Sequence, residues 1–326
     1  MTTLIEVAKL AGVSKSTVSR YFNQGYVSDQ ARIQIEAAIK ATDYSPNRMA
    51  RSLKAQSSGM VGLVIPRFES PSASLVMAGA DDIAYENNQQ LLIANTNRDS
   101  QRELTAIRTL QQQRVDALIT MTHNNEDYLL EAAQTLDIPL LIIGQSYKKL
   151  NYISYDDYKA GQILAQKAYN LGHRKISFIG VDPNDLAVGQ IRQAGFIDYF
   201  EKQGISVQVI RSHFSQSENF ALADQLLQAG TETYIACATD QIALAFLSVA
   251  NDLGFRVPED LSISGFGGYR EGQILAPKLT SVAYPYRQAG KLAMSVILSG
   301  LQRHSQTIYQ KVLDVELIPG QSLGPI

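Results

Sequence analysis

"LIEVAKLAGVSKSTVSRYFN", residues 4–23, sets a short apolar helix, a glycine turn and a polar, basic helix within twenty residues. Thr3 and Glu6 have the spacing of a capping box, opening a helix on Leu4, Ile5, Val7, Ala8 and Ala11. Gly12 supplies a tight turn, and Ser14 can cap a second helix whose Val18, Tyr21 and Phe22 face inward. Ser28 then caps a third helix carrying Ala31, Ile35, Ala38 and Ile39 along one side. Two helices across a glycine turn form a helix-turn-helix, whose second helix can enter the major groove of DNA. In that reading Lys15, Ser16 and Thr17 meet base edges or nearby phosphates. Arg20, one turn on, reaches a guanine O6/N7 pair, while Ser14 and Ser19 bond phosphate or cap the helix.

Charge separates this head from the remainder. Up to Ser58 the chain holds eight Lys and Arg against four Asp and Glu, so a net −2 overall hides +4 followed by −6. A basic head on an acidic body confines contact with a polyanion to the head. A length of 326 residues predicts two or three domains. The single cysteine, Cys237, excludes a disulfide framework and a cysteine-based zinc cluster, and reads as a buried core thiol. No run of about 18 apolar residues occurs, and the opening "MTTLIEVAKLAG" lacks the pattern of an export signal. The expectation is a cytoplasmic protein without membrane contact.

From Met60 apolar runs alternate with helical stretches: "MVGLVIP", "QQLLIAN", "VDALITM", "IPLLIIG", "NYISY", "RKISFIGV", "TYIACATD", "DLSISGFG" and "LTSVAYP". Buried parallel strands with intervening helices read this way. Two doubly wound subdomains around a cleft fit the number of strands, and a (β/α)₈ barrel is the competing arrangement. No catalytic constellation is expected. His123, His173 and His213 lack metal spacing, and the H-E-x-x-H and G-x-S-x-G motifs are absent. Asp156 and Asp157, read as adjacent strand positions, point to opposite faces, and "GFGG" at 265–268 reads as a tight loop at the cleft. No cofactor or metal is implied. A polar small molecule suits the chain better, because sugars are held by planar polar groups and aromatic faces. Arg192 in "GQIRQAGF" and Asp240 in "CATDQ" stand at helix starts after strands, where such groups converge.

The opening segment resembles the helix-turn-helix of the lactose/galactose repressor (LacI/GalR) family of bacterial transcription regulators, and "YSPNRMARSL" resembles that family's hinge helix. The likeness continues in order through "VGLVIP", "RVDALI", "DDYKAG", "LGHRKISFIG", "IRQAGF", "ATDQIALAFL", "VPEDLSISGFG" and "PKLTSVAYPYRQAG". The resemblance implies a homodimeric repressor that reads a pseudo-palindromic operator. Its fold would be α/β: a three-helix head, a hinge helix, and a periplasmic-binding-protein-like core of two doubly wound parallel-sheet subdomains. The expected bounds are 1–45 for the head, 46–58 for the hinge and linker, and 59–326 for the effector-binding and dimerisation core. Within the core the expected subdomains are 59–156 with 287–314, and 157–286 with 315–326. On DNA the hinge would enter the minor groove, with Leu53 as the wedge and Asn47, Arg48 and Arg51 beside it. Asn23 would complete the head's contacts. A marginal helix with an exposed leucine among basic residues suits such a wedge.

The resemblance also assigns the effector site. Arg192 and Asp240 match sugar-contacting positions, and Phe68, Gln145, Val188 and Tyr286 would complete the cleft. "KSTVSR", "SYDDYKAG", "LAVGQIRQAGF" and "CATDQIALA" most resemble the sucrose- and trehalose-operon repressors. There, an arginine after the first core strand binds a sugar phosphate, and "IPR" places Arg67 at that position. Many relatives carry an aspartate where this chain has Gly267, so a lost carboxylate argues against a simple galactoside or pentoside. The expected effector is a sugar or sugar phosphate, such as sucrose 6-phosphate or trehalose 6-phosphate, that releases the operator. Two alternatives stay open: a catabolite-control-type global regulator acting with a phosphorylated carrier protein, and a cytoplasmic sugar-binding protein without regulatory role. The ending "IPGQSLGPI" has no leucine-heptad helix, so a tetramerising tail is not expected.

Overall fold

The computed structural model describes residues 2–22, 25–44, 57–212, 215–230, 232–300 and 308–326. Asn23, Asn47, Arg48, Arg51, Leu53, the expected hinge helix and His213 lie outside the described residues. The chain divides into two compact units, Met1–Ser58 and Gly59–Ile326.

The first unit holds α1 (Leu4–Leu10), α2 (Lys15–Phe22) and α3 (Asp29–Thr42). Both halves of the Thr3–Glu6 capping box form, and Ser28 accepts from the Ala31 N–H. Gly12 sits at φ 61°, the left-handed conformation that makes the turn between α1 and α2 short. Val7, Ala8, Ala11, Val18, Ile35 and Ala38 form the core, closed by Tyr21, Phe22 and Tyr44. Ile5 departs from expectation and is 60% exposed. The buried stripe runs through positions 4, 7, 8 and 11, and residue 5 falls outside that helical face.

The second unit contains two six-stranded sheets. The first comprises β1 (Met60–Ile65), β2 (Gln90–Asn95), β3 (Ala117–Met121), β4 (Leu140–Ile143), β5 (Asn151–Tyr155) and β11 (Gln310–Leu313). Its order is β11-β5-β4-β3-β1-β2, with every pairing parallel. The second comprises β6 (Ile176–Gly180), β7 (Gln208–Arg211), β8 (Tyr234–Cys237), β9 (Ser262–Gly267), β10 (Thr280–Ala283) and β12 (Glu316–Ile318). Its order is β12-β10-β9-β8-β6-β7, with only β12 antiparallel. Open edges at both ends of both sheets rule out a closed barrel. The chain crosses between the sheets three times: after β5, after β10 and after β11.

Helices α4 (Pro71–Glu86), α5 (Ser100–Gln112), α6 (Glu126–Gln134) and α12 (Tyr286–Leu298) accompany the first sheet. With the second go α7 (Asp157–Asn170), a π-helical segment at Leu186–Arg192, α8 (Gln193–Glu201), α9 (Gln216–Ala229), α10 (Asp240–Asp252) and α11 (Arg270–Ile274). Glycines let helix backbones touch. A Cβ on Gly79 of α4 would lie 1.9 Å from the Arg287 carbonyl oxygen, and one on Gly290 of α12 2.0 Å from that of Val76. A Cβ on Gly161 of α7 would lie 2.3 Å from the carbonyl oxygen of Arg192, so this crossing fixes the backbone of a candidate site residue. Gly161→Ala is therefore expected to cost about 1–3 kcal/mol through backbone displacement. Thermal unfolding followed by calorimetry checks it; an unchanged midpoint would mean that the two backbones separate freely.

Candidate functional site

In the head, Ser14 Oγ accepts from the Thr17 N–H at 3.1 Å and shares hydrogen bonds with Ser16 Oγ and Thr17 Oγ1. Ser14 is thus the N-cap of α2. Helical spacing puts Lys15, Ser16, Ser19 and Arg20 on one arc, with Val18 and Tyr21 turned inward on the other side. Lys15, Ser16 and Arg20 are exposed, whereas Thr17 and Ser19 are half-buried. Tyr21 is held against α3 by a 3.1 Å bond to Glu36, so the inner face is locked while the basic outer face meets solvent.

In the second unit, a cleft of about 870 Å³, its open mouth included, lies where the carboxyl ends of both sheets converge. Each sheet supplies one wall. Arg67 follows β1, Arg98 follows β2, His123 follows β3 and Gln145 follows β4. From the other side come Asp185 and Val188 after β6, Thr239 and Gln241 after β8, and Tyr269 after β9. Ligands of open α/β sheets bind at such strand ends. Burial pushes the Arg67 guanidinium below its ordinary value, with the neighbouring Arg98 adding to the shift and Glu69 opposing it. Burial, reinforced by Arg98, pushes His123 down as well.

The floor is built on a buried ion pair. Arg192 Nε and Nη2 donate to Asp157 Oδ1 at 2.9 and 2.6 Å, and Nη1 donates to the Ala238 carbonyl at 2.6 Å. The Tyr284 hydroxyl donates to the same Asp157 oxygen at 2.9 Å. Burial pushes the Asp157 carboxyl up, while Arg192 and Tyr284 pull it down. The Arg192 guanidinium also lies 4.6 Å from the Tyr284 ring centre and 5.2 Å from that of Phe266. Tyr155, Tyr269, Tyr284 and Tyr286 pack edge-on or stacked, with centroids 5.3 to 6.0 Å apart.

The cleft brings together five of the expected effector residues: Arg67, Gln145, Val188, Arg192 and Tyr286. Three others do not line it. Phe68 is 52% exposed outside it. Asp240 is completely buried behind it, where Oδ1 accepts from Ser281 Oγ and Oδ2 from the Tyr269 N–H. Its job is to hold the loop that carries Tyr269; its neighbours Thr239 and Gln241 are the ones that reach the cleft. Gly267 has φ 145°, and a Cβ there would meet the Tyr269 ring at 2.8 Å, so that ring fills the space a larger residue would need. Asp156 and Asp157 begin a helix and are not in a strand: Asp156 caps α7 through the Lys159 N–H, and Asp157 turns inward. Sequence reasoning also missed Arg98, Asp185 and three of the four tyrosines. Cys237 and His173 are core residues; the His173 ring bonds Thr233 and the Gly324 carbonyl. Among the described residues no group of three potential metal ligands converges, and no helix is long and apolar enough to cross a membrane.

A helix-turn-helix unit on the same chain as a two-sheet unit with a polar cleft defines a ligand-responsive transcription regulator. Residues 3–47 match the family described as bacterial regulatory proteins, lacI family, and residues 165–323 match the periplasmic binding protein-like domain. The sucrose operon repressor of Staphylococcus xylosus is 33% identical over 318 residues, which are 97% of this chain and 98% of that protein. The ribose operon repressor of Haemophilus influenzae is 28% identical and covers 99% of both chains. In fold, the chain matches the lac repressor dimer bound to operator and the anti-inducer ONPF, with a TM-score of 0.91 at 24% identity over 99% of each chain. It also matches a transcriptional regulator CelR–cellobiose complex, with a TM-score of 0.74 at 25% identity over 99% and 100% of the two chains. The chain belongs to the lacI family of bacterial regulatory proteins.

Burial pushes Asp240 up to about 6, against the bonds from Ser281, Tyr269 and Gly268 that pull it down. Because the folded value lies above the unfolded one, this group's contribution is complete below about pH 4 and is lost as pH rises through 6. Relative to Asp240→Asn, the unsubstituted protein should lose on the order of 2–3 kcal/mol between pH 4 and 7. Denaturant unfolding of both proteins across that range checks the sign; an unsubstituted protein that gains stability over Asp240→Asn as pH rises would contradict it.

Proposed function

We propose that this protein is a cytoplasmic homodimer that represses a carbohydrate-utilisation operon and is released from its operator by a sugar or sugar phosphate. The observation that carries this reading is the cleft, in which arginines, a glutamine and tyrosines converge from the two sheets. Arginine forks and aromatic faces are the groups that hold hydroxyls and sugar rings. The similarity to the sucrose operon repressor of Staphylococcus xylosus supports a glucosyl disaccharide or its phosphate as the ligand class. Arg67 near Arg98 favours a phosphorylated form, such as sucrose 6-phosphate or trehalose 6-phosphate.

On the DNA side, α2 of each head lies in a major groove. Lys15, Ser16, Thr17 and Arg20 read or approach bases, and Ser14, Ser19 and Asn23 fix the helix on phosphates. The segment 46–58 joins head to core, with Asn47, Arg48 and Arg51 on the backbone and Leu53 as the minor-groove wedge. Two equal heads require a pseudo-palindromic operator, with a central step that kinks readily. The core divides into subdomains of 59–156 with 287–314, and 157–286 with 315–326. Arg20→Ala should cost about 1–3 kcal/mol against the cognate operator and relax preference at one base position. Fluorescence anisotropy with an operator selected from random duplexes, at fixed salt, measures this. A uniform loss across all sequences would make Arg20 a phosphate contact.

A further inference from the structure

Arg98 and Asp185 stand on opposite walls of the cleft. Arg98 follows β2 of the first sheet, and Asp185 follows β6 of the second. Arg98 Nη2 lies 3.5 Å from Asp185 Oδ2, with side chains only 23% and 7% exposed, so water screens the pair less than a surface pair. The two carboxylate oxygens have divided duties. Oδ1 accepts from Gln145 Nε2 at 2.9 Å and from the Val188 N–H at 3.3 Å, capping the π-helical segment. Gln145 in turn accepts from the Ala187 N–H at 3.0 Å. Oδ2 faces Arg98, through the longest of these contacts. Asp185 is therefore anchored by its other oxygen, and Arg98 can leave without displacing it.

We propose that Asp185 is the displaceable counter-anion of Arg98: it holds Arg98 until a ligand with an anionic group takes Arg98 from it, and a neutral sugar leaves the pair in place. A neutral sugar entering the cleft cannot replace a carboxylate at a guanidinium, and separating a partly buried pair without replacement is unfavourable. A phosphate can replace it, because a guanidinium meets phosphate oxygens through paired, charge-assisted hydrogen bonds and Arg67 stands close by. The exchange moves Arg98 from a contact between the walls to a contact with the ligand. Of the cross-wall contacts at this point, those of Gln145 remain. Recognition of the anion and release of one tie between the sheets are then a single event. This inference rests on the sugar-phosphate reading of the cleft.

Asp185→Asn tests it, because asparagine keeps the Oδ1 acceptor used by Gln145 and Val188 and removes the charge facing Arg98. Titration calorimetry would use sucrose 6-phosphate, trehalose 6-phosphate and the two unphosphorylated sugars, on the full-length protein, Asp185→Asn, Arg98→Gln and the double variant. The expected result is about threefold or greater tightening for a sugar phosphate in Asp185→Asn, as for a partly exposed charge pair, with the unphosphorylated sugar unchanged. The gain should vanish when Arg98 is already replaced. A gain that persists in the Arg98→Gln background would be simple repulsion and overturns the exchange, as does an unchanged or weakened sugar phosphate. If neither sugar phosphate binds the unsubstituted protein, the ligand reading fails and this inference with it. If one binds and the cycle is additive, only this inference fails.

Discussion

The cleft is organised by one buried ion pair, Arg192 on Asp157. Its four anchoring elements are the start of α7, the π-helical segment, the end of β8 and the residue after β10. Moving two charges out of water is costly, and the structure offsets that cost by satisfying them together. The guanidinium donates three hydrogen bonds to two acceptors, and one carboxylate oxygen receives three donors. Removing either partner strands the other, which in proteins costs about 3–5 kcal/mol. The surrounding tyrosines complete the arrangement by excluding water and presenting ring faces to the cation and to each other. The floor is consequently rigid before any ligand arrives, so less ordering is needed on binding.

Rigidity of the floor contrasts with the lips. Across the mouth, contact between the sheets runs through Arg98, Gln145, Asp185 and the Ala187 N–H, groups whose partners a ligand can replace one for one. Three chain crossings tie the same two sheets together. A ligand in such a cleft touches both walls at once, and any preference it has for one wall spacing becomes a bias on the whole unit. Under the proposed function that bias is transmitted to operator binding through residues 46–58. A coupling of about 1–3 kcal/mol would suffice for regulation.

Much of this fold is legible in the sequence because buried parallel strands are near-continuous apolar runs. Nine such runs correspond to β1 to β6 and β8 to β10. The three strands that escape notice are β7, β11 and β12, all at sheet edges, the first two largely exposed and the third only three residues long and half-buried. With one or both faces in water, "QVIR", "QKVL" and "ELI" carry no run of buried residues to betray them. The head is legible for a different reason: its capping residues are local, and Thr3–Glu6, Ser14 and Ser28 each act within three residues. The site is less legible, because its decisive contacts join residues far apart. Asp157 meets Arg192 across 35 positions and Tyr284 across 127. Asp185 reaches Gln145 across 40. Reading Asp156 and Asp157 as strand residues hides the second of them; the capping aspartate, Asp156, before "DYKAGQILAQKA" is the signal for a helix start. Asp240 was recognised as a polar residue at a strand end, yet burial gives the cleft to its neighbours.

Under the proposed function, filling the cleft loosens the hold on DNA, and thermodynamic linkage makes the two affinities mutually dependent. The direct measurement is sugar-phosphate affinity of the full-length dimer at one salt concentration, free and saturated with its operator. Ligand binding should be weaker on the operator, by the same factor by which the ligand weakens the operator complex. Equal ligand affinity in both states would contradict it.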